Sequence, residues 1–184
     1  FMRSSSYAPQ TAEALIETIP ISGNLDHFWK DMLELEENGE IIKTRFGTYG
    51  LPEKMGLVVG RFQLTSKGFG FVIPDNKGER PDVFIPPRAL GGAMNNDRVM
   101  ARVESSSGGN KPEGEIIRII THANNKIVGI FHQSGDFGFV TPDDKRIGQD
   151  IYIMKRHFGG AKTNQKVVAE ITEWPVERRN AEGK

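Results

Sequence analysis

Phe69 and Phe71 stand two residues apart in the stretch "SKGFGFVIPD", with Gly68 and Gly70 around them. In an extended strand, residues i and i+2 share a face, so the two rings project together while Gly70 and Val72 turn the other way. Val72, Val83 and Ile85 supply core side chains of opposite parity, which leaves Phe69, Phe71 and Phe84 for an outer face. A nucleobase lying flat on such a ring gains roughly 1–3 kcal/mol, whatever the base. Gly68 and Gly70 are expected to keep the surface around the rings low and open. Arg61, Lys67, Lys77, Arg80 and Arg88 lie on the same strands or their loops, and cations near a stacking platform are what a phosphate chain requires.

Other chemistries find no matching constellation. Two-metal phosphoryl transfer needs several converging carboxylates. Asp75, Asp143 and Asp144 instead follow prolines in turn-like sequence, where Asp is favoured for local hydrogen bonds. His27, His122, His132 and His157 share no ligand spacing, and the chain has no cysteine, which argues against zinc and excludes disulfides. Gly68-Phe69-Gly70 precedes neither a helix nor a Gly-Lys-Ser/Thr, so it is no phosphate loop. The sequence therefore yields no catalytic residue, no metal ligand and no cofactor for this segment.

The elements that carry the rings come in two copies. "SGDFGFVTPD" repeats the motif 68 residues on, and Pro74, Asp82-Val83-Phe84-Ile85, Gly91-Gly92-Ala93 and Val99 fall on Pro142, Asp150-Ile151-Tyr152-Ile153, Gly159-Gly160-Ala161 and Val167. Upstream, Val59-Gly60 and Phe62 match Val128-Gly129 and Phe131 at an offset of 69, so one residue was gained or lost in the loop between. Short runs bounded by Gly, Pro, Asn and Asp predict strands near 56–64, 69–73, 82–86, 97–103 and 115–121, then 126–133, 137–141, 150–154 and 165–171. Five short strands in about 70 residues with no helical pattern between them point to a small closed barrel of the oligonucleotide-binding (OB) type. The second copy presents Phe137, Phe139 and Tyr152, with Lys155, Arg156 and His157 after its third strand. It has Gly135-Asp136 where the first has Lys67-Gly68, an acid for a base, and weaker binding is expected there. It also stops at "AEGK", where its fifth strand should begin, so that strand is expected to be missing.

Before the barrels, Leu25, Phe28, Trp29, Met32, Leu33 and Leu35 recur at helical spacing, with Asn24 as cap and Asn38-Gly39 as stop. A shorter helix over 11–19 precedes it, and a hairpin around Phe46-Gly47 follows, the order of a winged helix without its first helix. The expected domains are 1–52 (winged-helix-like), 53–122 (first barrel) and 123–184 (second barrel). The fold class is mainly β with an α/β N-terminal part. Charge follows the same division. The chain balances 24 cations against 24 carboxylates, yet residues 11–50 hold eight acidic and three basic residues, whereas 51–121 and 122–184 each hold ten basic and eight acidic. An opening Phe1 and the unfinished repeat read as a piece of a longer chain.

"SKGFGFVIPD" followed by "DVFIP" resembles the paired aromatic motifs of cold-shock domains, which bind single-stranded nucleic acid on an exposed aromatic face. With "GEIIKTRFGTYGLPEKMGLVVGRF" before it and "GGAMNNDRVMARV" after it, nearly the whole chain resembles the amino-terminal region of the ribonuclease R branch of the ribonuclease II/R exoribonuclease family. The resemblance implies a single-stranded RNA partner and a 3′-to-5′ hydrolase. Its catalytic domain, with an acidic Mg²⁺ cluster, would lie outside this segment. It also implies an RNA-facing role for Phe62, Phe69, Phe71 and Phe84, with Phe137, Phe139 and Tyr152 as a second set. A cytoplasmic setting and no membrane partner are expected from the cysteine-free, span-free sequence. Two rivals are a winged-helix DNA-binding regulator and a free-standing cold-shock RNA chaperone. The acids Asp26, Asp31, Glu34, Glu36 and Glu37 against Lys30 alone make the long helix a poor fit to a phosphate-lined groove and a better one to a protein partner.

Overall fold

The computed structural model describes residues 1–21, 24–76, 80–104, 112–176 and 179–184, and the chain divides into two compact units, Phe1–Val59 and Gly60–Lys184. In the first, β1 (Gln10–Thr11) leads into α1 (Ala12–Thr18), and α2 (Leu25–Glu37) is followed by β2 (Ile42–Lys43) and β3 (Thr48–Gly50). Thr11 caps α1 by accepting from the Ala14 N–H, and Asn24 caps α2 by accepting from the Asp26 N–H. Past the end of α2, Gly39 takes a φ of 71°, which lets the Glu40 N–H return to the Leu35 carbonyl at 2.9 Å. Three antiparallel strands in the order β1-β3-β2 and the two helices enclose Ala12, Leu15, Met32, Ile41, Tyr49 and Leu51. Among the described residues, neither helix is long and apolar enough to cross a membrane.

The barrels follow. The first consists of β4 (Leu57–Leu64), β5 (Gly70–Pro74), β6 (Val83–Ile85), β7 (Arg98–Glu104) and β8 (Glu113–Thr121), closed in the order β4-β5-β6-β8-β7. The second consists of β9 (Lys126–Ser134), β10 (Phe137–Pro142), β11 (Ile151–Met154), β12 (Lys166–Glu173) and β13 (Glu182–Gly183), closed as β10-β11-β13-β12-β9. In each, the third and fifth strands pair in parallel and every other recorded pair is antiparallel, the closure of an OB barrel. The second barrel thus does not lack its last strand. Two residues suffice, because Gly183 sits opposite both Ile153 and Ile171 and so joins the two free edges. So short a strand carries no periodicity by which a sequence could announce it.

The repeat also shows where its register slips. Between β4 and β5 the hairpin has a three-residue loop, Ser66-Lys67-Gly68, closed by Thr65 N–H to Phe69 carbonyl at 2.9 Å, with Gly68 at φ 85°. Between β9 and β10 only Gly135 and Asp136 intervene, with Ser134 paired to Phe137 and Gly135 at φ 64°.

Gly70 does not serve the surface. It faces inward, and a Cβ there would overlap the ring of Phe62, just as one at Gly138 would overlap Phe131. Both phenylalanines are fully buried. The glycine of "GFGFV" therefore makes room for a core ring beneath the strand while its neighbours point outward. Gly70→Ala is expected to destabilise the protein by about 1–3 kcal/mol through overpacking, read as a shifted denaturant midpoint. An unchanged midpoint would mean that the Phe62 ring can move aside.

A tight turn before the fourth strand recurs in both barrels. Asn96 and Asn164 take φ of 71° and 70°, and their N–H groups donate to the Phe62 and Phe131 carbonyls, each at 2.8 Å. Asp97 accepts from Met94 N–H at 2.9 Å, and its counterpart Gln165 accepts from Lys162 N–H at 2.8 Å. The first turn does more. Asp97 is wholly buried and also accepts from the Ala123 N–H, and its Oδ2 lies 2.9 Å from His122 Nδ1. The His122 ring stacks on Trp174 with centroids 3.6 Å apart, and Met94 packs into the second barrel's core with Phe131, Val140 and Ile151.

Candidate nucleic-acid interface

Cross-strand partners share a face of a sheet, so the register fixes what lies outside. Gln63, Phe71 and Phe84 are aligned across β4, β5 and β6, and Arg61 sits opposite Ile73 on the same outer face. Phe69 joins them from the loop end. The three rings form a triangle with centroids 5.9 Å (Phe69–Phe71), 5.6 Å (Phe69–Phe84) and 5.8 Å (Phe71–Phe84). All three are half-buried, supported by one another and open on one side.

Phe62 is a correction to the expected set. It pairs with Val72, shares the inward parity of Leu64, and has none of its surface exposed. It is a core residue that shapes the platform from below and cannot touch a ligand on the outer face.

The cations are dispersed around the rings. Arg61 and Lys67 are exposed on β4 and in the following loop. Arg88 is exposed beyond β6 and forms an ion pair with Glu113 at 3.0 Å, which offsets part of its charge. Arg80 is exposed, whereas Lys77 lies outside the described residues.

The second barrel builds a different surface from the same register. Phe137 stacks with Tyr152 at 5.6 Å and 24°, and Phe139 with His132 at 5.2 Å and 27°. Phe137 and Tyr152 are 40% and 36% exposed, so their faces stand freer than any ring of the first triangle. His132 is an addition to the expected residues. A lone histidine gives no signal of its own, but at the repeat offset it occupies the place of Gln63, opposite Phe139. The charge here is weaker. Lys155 is held by Asp136 at 2.6 Å, and Arg156 donates from Nε to His157 Nε2 at 2.8 Å, leaving the acid of the two-residue loop to cancel the nearest cation.

The post-proline aspartates are occupied with the scaffold. Asp75 pairs with Arg98 at 2.7 Å, Asp143 with Lys166 at 2.8 Å, and Asp144 with Arg146 at 2.8 Å. Hydrogen bonds from the Arg146 side chain and N–H hold the Asp144 carboxyl below the ordinary carboxylate range. Among the described residues, no group of three or more His, Asp or Glu side chains converges as a metal site would require.

Two tandem OB barrels, each with aromatic side chains on the outer face of its second and third strands, define the class. Residues 60–119 match the family model described as Ribonuclease B OB domain, and residues 139–184 match that of the Cold shock domain. The chain is 36% identical to Ribonuclease R of Thermotoga maritima over 154 residues, covering 82% of this chain and 21% of that protein. It is 30% identical to Ribonuclease R of Vibrio parahaemolyticus over 179 residues, covering 96% and 21%. Among solved structures it is similar to Mycoplasma genitalium RNase R in complex with ribose-methylated single-stranded RNA, with a TM-score of 0.61, 18% identity, and coverage of 69% of this chain and 20% of that one. Yeast Ssd1, a pseudonuclease, matches with a TM-score of 0.57 at 15% identity, covering 71% and 22%. Over most of its length the chain is similar to ribonuclease R, whose amino-terminal region it resembles. It spans about a fifth of the length of the curated relatives it matches.

Proposed function

We propose that this region binds single-stranded RNA on the outer faces of β4–β6 and β9–β11, and delivers it to a catalytic domain of the 3′-to-5′ exoribonuclease type outside these 184 residues. The observation that carries the reading is the Phe69, Phe71, Phe84 triangle, held half-open over a closed barrel with Arg61 and Lys67 at its margin. Stacking supplies sequence-tolerant affinity and the cations supply a salt-dependent share. The fold alone does not decide whether the whole protein cuts, since a nuclease and a pseudonuclease share it. The sequence matches to Ribonuclease R favour the nuclease, with Mg²⁺ as the metal of its catalytic domain. A cytoplasmic setting accords with the cysteine-free chain.

The DNA-regulator alternative meets a specific obstacle. Helix α2 exposes Leu25, Trp29 and Leu33 on one stripe amid its acids, a surface suited to contact with protein rather than phosphate. An unfinished second barrel would have counted against the free-standing chaperone, but that barrel closes and the objection falls away. Ribonuclease R similarity over most of the chain weighs against the chaperone.

The test is equilibrium binding to a labelled single-stranded RNA and to a DNA duplex at two salt concentrations, with Mg²⁺ present and the RNA checked for integrity afterwards. The expected result is tighter binding of the single strand, a fall with salt, and intact RNA. Phe137→Ala/Phe139→Ala is expected to weaken binding less than the corresponding pair in the first barrel, because Asp136 neutralises Lys155. Preference for the duplex would return the regulator reading, and shortened RNA would place catalysis within this segment.

A further inference from the structure

The most exposed large apolar side chain among the described residues lies in neither barrel. Phe46, at the tip of the β2–β3 hairpin, is 75% exposed. Leaving a phenylalanine in water forgoes about 1.5–3 kcal/mol that burial would give, so its place at a tip asks for an explanation. Looseness of the loop is not one. Thr44 N–H donates to the Thr48 carbonyl at 2.8 Å, Gly47 N–H returns to the Thr44 carbonyl at 2.9 Å, and Gly47 holds a φ of 76°. The Thr44 hydroxyl oxygen accepts from Phe46 N–H at 3.2 Å and from Thr48 N–H at 3.3 Å, and is 2.7 Å from the Thr48 hydroxyl. Buried Tyr49 anchors the returning strand in the core. The tip is a built presentation of one ring.

Its surroundings identify what the ring meets. The Arg45 guanidinium lies over the Phe46 ring, 4.8 Å from its centroid, and Lys43 is exposed one turn of the pleat away with its ammonium 5.6 Å from the Tyr49 ring. Residues 41–51 contain these two cations and no carboxylate, inside an N-terminal part that is otherwise acidic. Glu13 is the facing acid: hydrogen bonds from its own backbone N–H and from the Thr11 side chain hold its carboxyl below the ordinary range, with a smaller contribution from the Lys43 charge. Among the described residues, Arg45 forms no ion pair. A protein-docking surface would offer several adjoining apolar side chains around the anchor. Here the residues adjoining it along the hairpin are Thr44, Arg45, Gly47 and Thr48. One flat ring, one flat guanidinium and a second cation match an unpaired nucleotide, with the base on the ring and phosphates on Arg45 and Lys43.

We infer that the tip of the β2–β3 hairpin is a further RNA contact, in which Phe46 stacks on an unpaired base and Arg45 and Lys43 hold the adjoining phosphates. The inference rests on the reading of this region as an RNA binder and adds a site outside the barrels. It assigns the nucleic-acid contact of the acidic unit to its hairpin and not to helix α2.

The experiment uses the whole chain and a single-stranded oligouridine of about 30 nucleotides, enough to fill two OB barrels at up to about 16 nucleotides each. Affinity is measured for wild type, Phe46→Ala, Lys43→Ala/Arg45→Ala and Phe69→Ala/Phe71→Ala over a salt series. Phe46→Ala is expected to weaken binding about fivefold with an unchanged salt slope. The double cation variant is expected to lower the slope of log K against log salt by about 1–2. A 5-iodouridine version of the oligonucleotide is expected to crosslink to the peptide carrying Phe46. If Phe69→Ala/Phe71→Ala weakens binding while both hairpin variants bind as wild type and no crosslink reaches that peptide, the inference is overturned and the barrel reading stands. If wild type binds no RNA, both fall together. Because Phe46 and Arg45 are solvent-facing, circular dichroism of the variants is expected to match wild type, so lost affinity reports the contact.

Discussion

Phe69→Ala/Phe71→Ala lowers affinity for single-stranded RNA by on the order of 30-fold, the expected loss if two rings each contribute about 1 kcal/mol. The low end of the stacking range applies because the rings lean on one another with centroids 5.6–5.9 Å apart and are half-buried, so each offers part of a face. The loss persists at high salt, where phosphate contacts are weakened, and this separates stacking from charge. Thermal melting of the variant serves as control, since both rings also cover the outer side of β5. A loss confined to low salt, or none, would remove the aromatic triangle from the interface.

Asp97→Ala produces the second large effect, in stability. The carboxylate is wholly buried and accepts from two backbone N–H groups, Met94 and Ala123, each at 2.9 Å, besides its contact with His122. Alanine leaves the buried Met94 N–H without an acceptor, at about 1–3 kcal/mol, and also removes the bonds with Ala123 N–H and His122, so a loss of about 3 kcal/mol is expected by chemical denaturation. Asp97→Asn keeps one acceptor oxygen and is expected to fall between. A loss below about 1 kcal/mol would mean that water replaces the carboxylate.

The difference between what was legible in the sequence and what was not has a physical pattern. Both α-helices and nine of the barrel strands announce themselves, because caps such as Asn24 and runs such as 126–134 are local signals. The fifth strand of the second barrel does not, since two residues have no period and their pairing with β11 and β12 is purely tertiary. Phe62 was legible in principle. Polar Arg61 and Gln63 flank it, and Leu64 shares its parity, so alternation along β4 already points it inward. Family resemblance carries an aromatic identity across without its parity, and Gly70 then looks like a surface device when it is space for a ring. Phe69, Phe71, Phe84, Phe137, Phe139 and Tyr152 lie on the expected faces because i, i+2 spacing within a strand is local geometry. Asp97 and His132 were hidden for the opposite reason. Their partners stand 25 and 7 residues away, and only folding makes one a buried hub and the other a ring of the second platform.

Duplication starts with two interchangeable copies, and the turn before the fourth strand shows how these two ceased to be interchangeable. At the place where the first copy has Met94 plugged into its neighbour, the second has Lys162, and where the first has buried Asp97 the second has exposed Gln165. One copy is a plug and the next a socket, so the pair has a direction, head to tail. Either barrel excised alone is then expected to be less stable than the pair. Removed from its partner, the first would bare Met94 and leave Asp97 with the Met94 N–H but without its contacts to His122 and Ala123, and the second would keep a hole where a foreign methionine had completed its core.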